Sequence, residues 1–395
     1  MESPAPSTTT RSARVVGVDV ARCLALLGMM ATHILPGSDT EGVTWYQQLA
    51  GGRSAALFAV LAGVSVALVT GGMTPPRGQE LSAARAGLVA RAAVIGLVGL
   101  LVGGLDSGIA VILTYYAVLF VLALPFIGLR ARTLAALAGA WAVGAPVVSH
   151  VVRGLLDAPA PGNPTLDRLV LEPGLLLTEL LLTGYYPAFT WLAYLFAGMA
   201  AGRCLLGSTR VAAALAVLGG SLALLSWSAA TVLLQRPGGH AVLAGALPSD
   251  FPTHGDLQES LVHGFFGTTP PTSWWWLTVW APHSSTPVDM LHTTGTSLLV
   301  LGLAVLAGRV APQALSAVFA AGTMTLTLYT VHVCALAAEV GPPRGTGALY
   351  AWHVAAALLL GATWRELVGR GPLERGAAAA SRTARESVLW SRQRA

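Results

Sequence analysis

The sequence predicts an all-α membrane protein, a transmembrane helix bundle of about ten spans. Of its 395 residues, 54% are hydrophobic and only 10% are charged, whereas soluble domains carry about 25% charged residues. Ten apolar stretches each come close to the roughly 20 residues that a helix needs to cross the hydrocarbon core. The basic residues, all of them arginine, concentrate on alternate connections between these stretches. These three observations exclude a soluble globular domain.

The predicted spans follow one another from residue 15 to residue 369. They cover residues 15–35, 53–72, 84–104, 108–128, 132–152, 186–206, 211–234, 288–308, 314–338 and 347–369. Before the sixth span, residues 170–184 form a shorter apolar stretch that contains Glu172 and Glu179. This stretch is either an interfacial or re-entrant helix or, if it pairs with another half-helix, an eleventh span.

The arginine distribution predicts the orientation of the bundle. With the N-terminus inside, seventeen of the 23 arginines lie on the inner side, five lie on the outer side, and Arg22 lies within the first span. The positive-inside rule then places both termini in the cytoplasm. The chain contains no lysine, a bias that suggests a GC-rich bacterial genome and hence a bacterial plasma membrane. The net charge of +5 reflects this topology, and no nucleic-acid partner is predicted.

The chain divides into three predicted parts. Residues 1–14 are polar and are predicted to form a disordered cytoplasmic segment. The apolar run after them is too long for a cleaved signal, so we expect it to remain as the first span. Residues 15–370 form one transmembrane domain, and residues 371–395 form an arginine-rich cytoplasmic tail. The cysteines and histidines show no zinc-binding spacing, so no metal is predicted.

The first span, VDVARCLALLGMMATH, carries three ionisable residues where hydrocarbon makes them costly. Asp19 and Arg22 are one helical turn apart and can pair. His33 follows Arg22 by eleven residues, which places both on nearly the same face, about 16 Å apart along the axis. One explanation of these residues is structural: Asp19 and Arg22 form an ion pair, and His33 only marks the outer boundary of the membrane. We favour a hydrated path in which the histidine is a general base or transient acyl carrier; for Asp19 both explanations stay open.

Seven further polar residues at or within the spans are candidates for lining an acceptor site or a pore. They are Arg53, Tyr115, Tyr116, His283, Asp289, Tyr329 and His332. Ionisable groups inside a membrane usually face a protein interior or a wet cavity. The structural alternatives are a boundary anchor for Arg53, a helix cap for His283 and especially Asp289, and packing or internal hydrogen bonds for the others.

The first-span segment RVVGVDVARCLALLGMMATHILP resembles the heparan-α-glucosaminide N-acetyltransferase catalytic-domain family. This family is part of a membrane acyltransferase superfamily that includes the acyltransferase-three enzymes. Further similar segments are GGRSAALFAVLAGVSVAL (51–68), YYPAFTWLAYLFAGMAAGR (185–203), PHSSTPVDMLHTTG (282–295), MTLTLYTVHV (324–333) and GRGPLER (369–375). The resemblance therefore touches most spans rather than one motif.

The resemblance implies transfer of an acetyl or other acyl group from cytoplasmic acyl-CoA, most simply acetyl-CoA, to a sugar or amino-sugar acceptor on the outer side. Arg22 and His33 match the family's first-helix pair. The mammalian lysosomal enzymes of the family carry a further histidine in the next loop, whereas residues 34–52 contain none. We therefore expect direct transfer with His33 as the base.

Acyl-CoA carries several phosphate charges, and the inner-side arginines Arg77, Arg85 and Arg91 are candidates for binding them; the alternative is that they only set the topology. The expected partners are membrane lipid, acyl-CoA and the acceptor, and a homodimer stays open. The alternative function is a transporter of a small polar or lipid-linked solute that uses the first-span ionisable residues as an ion path. No inverted repeat is visible in the sequence, which weighs against a transporter.

Overall fold

The computed structural model describes residues 15–40, 42–156, 162–236, 238–253 and 255–391, so the predicted segment 1–14 lies outside it. Within these ranges the chain is almost entirely helical. One antiparallel hairpin pairs β1 (Ser38–Asp39) with β2 (Gly42–Val43). The predicted all-α class is confirmed.

The α-helices are numbered in chain order. They are α1 (Val16–Ile34), α2 (Trp45–Ala50), α3 (Arg53–Val69), α4 (Gly78–Gly103), α5 (Leu113–Ala123), α6 (Ala131–Arg153), α7 (Leu166–Leu171), α8 (Pro173–Thr178), α9 (Ala188–Gly202), α10 (Thr209–Leu234), α11 (Gly239–Gly245), α12 (Leu257–His263), α13 (Pro287–Val310), α14 (Pro312–Val318), α15 (Thr325–Ala337), α16 (Gly347–Leu367) and α17 (Pro372–Ser391). A π-helical turn follows α8 (Glu179–Thr183), and two 3₁₀ turns cover Trp274–Thr278 and Ala320–Thr323.

Seven segments of the described chain are helical, long and apolar enough to cross a membrane: α1, α2 with α3, α4, α6, α10, α13 and α16. An eighth crossing results if α8, its π-helical turn and α9 form one span, which is bent by 52°. The other two predicted spans correspond to α5 and α15. Their 11 and 13 residues cover only about 16 and 20 Å of a core about 30 Å thick. The count of ten spans is therefore not confirmed, although each predicted stretch contains a helix.

The departures from the predicted spans have identifiable structural causes. The Asn163 side chain bonds to the backbone of Ile109 and Val111, each at 2.8 Å, and holds this segment outside the helix, so α5 begins only at Leu113. The predicted stretch 170–184 becomes α8 and the π-helical turn, which bends into α9. A bend of 52° at this break is what either a broken span or a re-entrant loop would show.

Small residues bring the central helices into close contact. α3 and α9 cross at Gly63 and Gly198, where a Cβ atom added at Gly198 would lie only 1.8 Å from the Val60 carbonyl oxygen. α10 and α13 approach each other in the same way at Gly219 and Gly295. Inside a bilayer, close packing of this kind drives helix association. α1 packs against α3 and α13 and so lies at the centre of the bundle.

The predicted cytoplasmic tail is a helix that packs on the bundle throughout its described part. α17 lies along α4, where the Gln79 side-chain amide donates to the Leu389 carbonyl oxygen at 3.2 Å. At the start of α17, the Glu374 carboxylate accepts the backbone N–H groups of Leu326 (2.8 Å) and Thr327 (3.2 Å) at the start of α15. A carboxylate is favourable at a helix N-terminus. The tail thus contributes a charged group to the interior of the bundle.

Candidate active site

Two cavities approach each other inside the bundle. They are named outer and inner after the predicted orientation: the outer cavity, of about 580 Å³, lies at the end where α1 finishes. The inner cavity, of about 120 Å³, lies toward the arginine-rich end. Tyr329 on α15 lines both cavities, so its side chain lies between them. The ionisable residues of the first span are divided accordingly, because His33 lines the outer cavity and Arg22 lines the inner one.

The outer cavity is formed by helix ends and by the connections between them. Its polar and aromatic lining within the described chain comprises Thr32, His33, Gln47, Asp106, Asn163, Tyr185, Tyr186, His263, Phe266, His283 and Tyr329. Pockets of about 300–1,000 Å³ with aromatic faces and a few polar groups commonly hold small ligands. This cavity can therefore hold a small polar molecule beside His33.

Three histidines from three helices form a row of hydrogen bonds. The Nδ1 of His33 lies 3.1 Å from the Nε2 of His332, and the two rings stack with centroids 5.3 Å apart. The Nδ1 of His332 lies 3.1 Å from the Nδ1 of His353 on α16, and these rings are nearly perpendicular. Because His33 uses Nδ1 for His332, its Nε2 is the nitrogen that remains for a ligand in the outer cavity.

A second wall of the outer cavity is aromatic. The His283 ring lies 5.2 Å from the Tyr185 ring and 5.5 Å from the Tyr186 ring, and Phe266 meets Tyr185 edge-on at 5.6 Å. His283 and Ser285 adopt left-handed backbone conformations, with φ of 54° and 50°. Such conformations are costly for residues other than glycine and persist where the surroundings enforce them, often at functional sites. The segment that presents His283 is therefore held in place by its neighbours.

Tyr115 supports this aromatic wall from behind. Its hydroxyl oxygen accepts the backbone N–H of Tyr185 at 3.2 Å. Beside it, Arg168 donates to the buried carboxylate of Glu179, and this hydrogen bond raises the pKa of Arg168. Tyr115 itself is not among the described residues that line either cavity. The structure therefore places it as a support for Tyr185.

The inner cavity contains two guanidinium groups and one carboxylate. Arg22 donates to the Ser65 hydroxyl on α3 at 2.5 Å, and its other terminal nitrogen lies 3.4 Å from the Asp19 carboxylate. Arg91 on α4 and Glu374 on α17 line the same cavity. The two guanidinium groups offer hydrogen-bond donors that suit anionic or carbonyl oxygens.

Of the arginines predicted to bind acyl-CoA, Arg91 lines the inner cavity. Tyr116, predicted to line an acceptor site or a pore, lines this cavity as well and, within the described chain, not the outer one. Arg77 and Arg85 are not among the described residues that line the inner cavity: Arg77 directly precedes α4, and the Arg85 side chain donates to the Leu124 carbonyl oxygen at 3.0 Å. Only one of the three arginines expected to bind acyl-CoA therefore reaches this cavity.

Arg53 and Asp289 are likewise not among the described residues that line the outer cavity. Arg53 donates to the Nε2 of His292 at 3.2 Å, and its guanidinium lies over the Trp280 ring, 5.1 Å from the centroid. The Asp289 carboxylate accepts the backbone N–H of Ser285 at 3.2 Å at the start of α13. This is the capping arrangement that the sequence offered as the structural alternative for Asp289.

Sequence reasoning missed several residues of the site, among them Gln47, Asp106, Tyr185 and Phe266 in the outer cavity, and also His353 and Glu374. His353 lies within a predicted span, so the rule that ionisable residues inside a membrane are functional candidates could have found it. Glu374 lies after the last predicted span, within the segment GRGPLER, whose similarity to known proteins was the only signal. Contacts with other helices give both residues their place.

A family model for the catalytic region of heparan-alpha-glucosaminide N-acetyltransferase matches residues 14–232, just over half of the chain. The chain belongs to this family. The predicted family is therefore confirmed, and with its apolar helices the protein is a multi-pass membrane protein of an acetyltransferase family. Among curated proteins, none matches the sequence.

The family match covers only part of this acetyltransferase-family site. Arg22, His33 and Arg91 lie within the matched region, whereas Tyr329 and His332 lie beyond it. The site is thus built jointly by matched and unmatched parts of the chain. No group of three or more His, Cys, Asp or Glu side chains in the described chain could hold a metal ion.

Proposed function

We propose that this protein transfers an acetyl group from cytoplasmic acetyl-CoA to an amine or hydroxyl group of a sugar or amino sugar on the outer side of a bacterial plasma membrane. One observation carries the proposal: a cavity lined by Arg22 and Arg91 and a cavity lined by His33 meet at a single side chain, Tyr329. The family supplies the reaction type. The two cavities offer a separate place for each substrate.

The inner cavity suits the donor. The positive-inside rule turns the arginine-rich end toward the cytoplasm, where acyl-CoA is made. Arg22 and Arg91 offer hydrogen-bond donors to its oxygen atoms. A volume of about 120 Å³ suits the thioester end alone. The nucleotide would remain outside, where we propose that Arg77 and Arg85 bind its phosphates.

The outer cavity suits the acceptor. Its 580 Å³ are sufficient for a monosaccharide unit. The Tyr185 and Phe266 rings offer apolar faces for a sugar ring, and Gln47 and Asp106 offer groups that bind hydroxyls or an amine. We propose that Arg53 and Asp289 serve the acceptor site indirectly, by supporting the segments around it.

The transfer would take place at Tyr329, whose side chain would have to swing aside so that the two substrates can meet. The acceptor nitrogen or oxygen attacks the thioester carbonyl carbon while the Nε2 of His33 takes its proton. Collapse of the tetrahedral intermediate breaks the carbon–sulfur bond, and the proton returns to the sulfur of CoA. Because residues 34–52 contain no histidine, we propose direct transfer to the acceptor.

A transporter is the second candidate. Two cavities separated by one side chain are also what alternating access across a membrane would need. In that case Tyr329 would have to move so that a solute could pass, and Arg22 and His33 would bind the solute or a coupling ion. Acyl transfer and solute uptake can be measured on the same protein, so the two functions are separable.

The proposal can be tested with purified protein in lipid nanodiscs, labelled acetyl-CoA and a panel of neutral and amino sugars. We expect label transfer by the wild type and a rate lower by about 10²- to 10⁴-fold in His33→Ala, the contribution typical of a general base. His150→Gln is the matched control, because His150 is also a buried histidine of a spanning helix but lines neither cavity of the described chain.

Undiminished transfer by His33→Ala would show that His33 is not the base. Absence of transfer and of CoA release with every donor, together with solute uptake into proteoliposomes, would favour the transporter.

A further inference from the structure

We propose that His332 and His353 are positioning residues that form a proton relay with His33, so that the proton taken from the acceptor is shared along the row of three rings. The inference rests on the acyl-transfer function proposed above. Neither residue lines a cavity together with His33 in the described chain. Both would act only through the hydrogen bonds that connect them to it.

The row has two neutral hydrogen-bond patterns. In the first, the Nδ1–H of His33 donates to the Nε2 of His332, and the Nδ1–H of His332 donates to the Nδ1 of His353. The Nε2 of His33 then has a free lone pair and can accept a proton. In the second pattern both bonds are reversed, and the Nε2 of His33 carries a hydrogen that it can only donate. The tautomer of His353 therefore decides whether His33 is a base.

Burial makes this coupling strong. His332 and His353 are 2% and 4% exposed, and the Nε2 of His353 has no hydrogen-bond partner within the described chain. Water therefore does not compete with the bonds between the rings. A charge confined to one buried ring is costly, and hydrogen bonds from a charged donor are stronger than those from a neutral one. Sharing the proton lowers the cost of charging His33.

The complete step balances. As the acceptor nitrogen or oxygen bonds to the acyl carbon, its proton moves to the Nε2 of His33. At the same time the Nδ1–H of His33 is drawn toward the Nε2 of His332, and the Nδ1–H of His332 is drawn toward the Nδ1 of His353, so the positive charge is distributed over the three rings. When the carbon–sulfur bond breaks, these movements reverse, and the Nε2 of His33 gives the proton to the thiolate of CoA. The row ends the cycle in its first pattern.

The first test measures acyl transfer. We expect His332→Ala to lower kcat by about 10- to 100-fold, less than loss of the base itself, with the KM for acetyl-CoA unchanged and with activity restored by added imidazole. We expect His353→Asn to be impaired as well, because an asparagine can accept the hydrogen bond but cannot take the proton. His150→Ala, another substitution of a buried histidine, should match the wild type with and without imidazole.

Wild-type kcat in both His332→Ala and His353→Asn would overturn the relay while leaving the function intact. Full activity of His353→Asn beside an impaired His353→Ala would also overturn it, because His353 would then only hold His332 in place.

The second test does not depend on activity. In protein with ¹⁵N-labelled histidines, His33→Gln should shift the ring-nitrogen resonances of His353, two rings away, whereas His150→Gln should leave them unchanged. The His353 signals are assigned by their loss in His353→Asn. Unshifted His353 resonances in His33→Gln would refute the relay. Shifted resonances in a protein that transfers no acyl group would refute the proposed function alone.

Discussion

Replacement of Tyr329 tests whether the two cavities must be kept apart. The side chain is 2% exposed, borders both cavities, and its hydroxyl oxygen accepts the backbone N–H of Ile112 at 3.4 Å. Tyr329→Ala removes the ring, so the cavities of about 580 and 120 Å³ would join. Tyr329→Phe keeps the ring and removes only the hydroxyl group. Comparison of the two variants therefore distinguishes the effect of the ring from the effect of its hydrogen bond.

The two substitutions should differ in their cost to stability. Loss of a buried aromatic side chain lowers the free energy of unfolding by about 3–5 kcal/mol. We expect the lower end for Tyr329→Ala, because a ring that borders two cavities makes fewer contacts than a fully packed one. Tyr329→Phe gives up a long hydrogen bond, which is worth about 1 kcal/mol. Both variants are expected to fold.

The functional difference should be larger. Once the cavities join, water from the outer side can reach the thioester, so Tyr329→Ala should hydrolyse acetyl-CoA without acceptor at least about tenfold faster than the wild type, equivalent to about 1.4 kcal/mol of barrier. Tyr329→Phe should hydrolyse it at the wild-type rate. The assay follows release of the CoA thiol with and without acceptor sugar.

A folded Tyr329→Ala protein with wild-type hydrolysis and wild-type transfer would refute the reasoning. Thermal unfolding of the same preparation identifies a variant that has simply lost its structure.

Two further predictions concern the donor cavity and the helix packing. Arg91→Met should raise the KM for acetyl-CoA about tenfold, the effect of losing one charge-assisted hydrogen bond, whereas Arg210→Met, an exposed arginine at the same end of the bundle, should not; equal KM values in both would contradict donor binding by Arg91. Gly198→Ala should lower the unfolding temperature strongly, because its Cβ would meet the Val60 carbonyl oxygen at 1.8 Å, while Gly139→Ala, with nothing within 4 Å of its Cβ, should leave it unchanged. Equal unfolding temperatures of the Gly198→Ala and Gly139→Ala proteins would mean that α3 and α9 can move apart without loss of stability.

The helical segments could be predicted well because the bilayer leaves the backbone few alternatives. A chain in hydrocarbon must satisfy its own N–H and C=O groups, so apolar runs of sufficient length become helices. All ten predicted stretches contain one. Their lengths were less predictable, because they depend on distant contacts. Asn163, for example, holds Ile109 and Val111 outside α5 from more than fifty residues away.

Among the site residues too, the sequence predicted some features, and contacts between distant segments decided the others. Arg22 and His33 were singled out by their cost inside a membrane, and both line cavities. Sequence spacing placed them on one face of α1, but the path it suggested is divided by Tyr329. Spacing could not show that Arg53 pairs with His292. Nor could it show that the Glu374 carboxylate reaches the inner cavity, because that depends on how α17 packs against α4.

The sequence by itself determined the class of protein, its family and the few ionisable residues that the membrane makes expensive, because hydropathy and local motifs are properties of single segments. Tertiary structure alone decided which of these residues meet. His33 and His332 are separated by 299 positions, and His353 joins them from a third helix. Which helix faces which is set by close packing at small residues, and that packing leaves no periodic signal in the spacing of histidines along the chain.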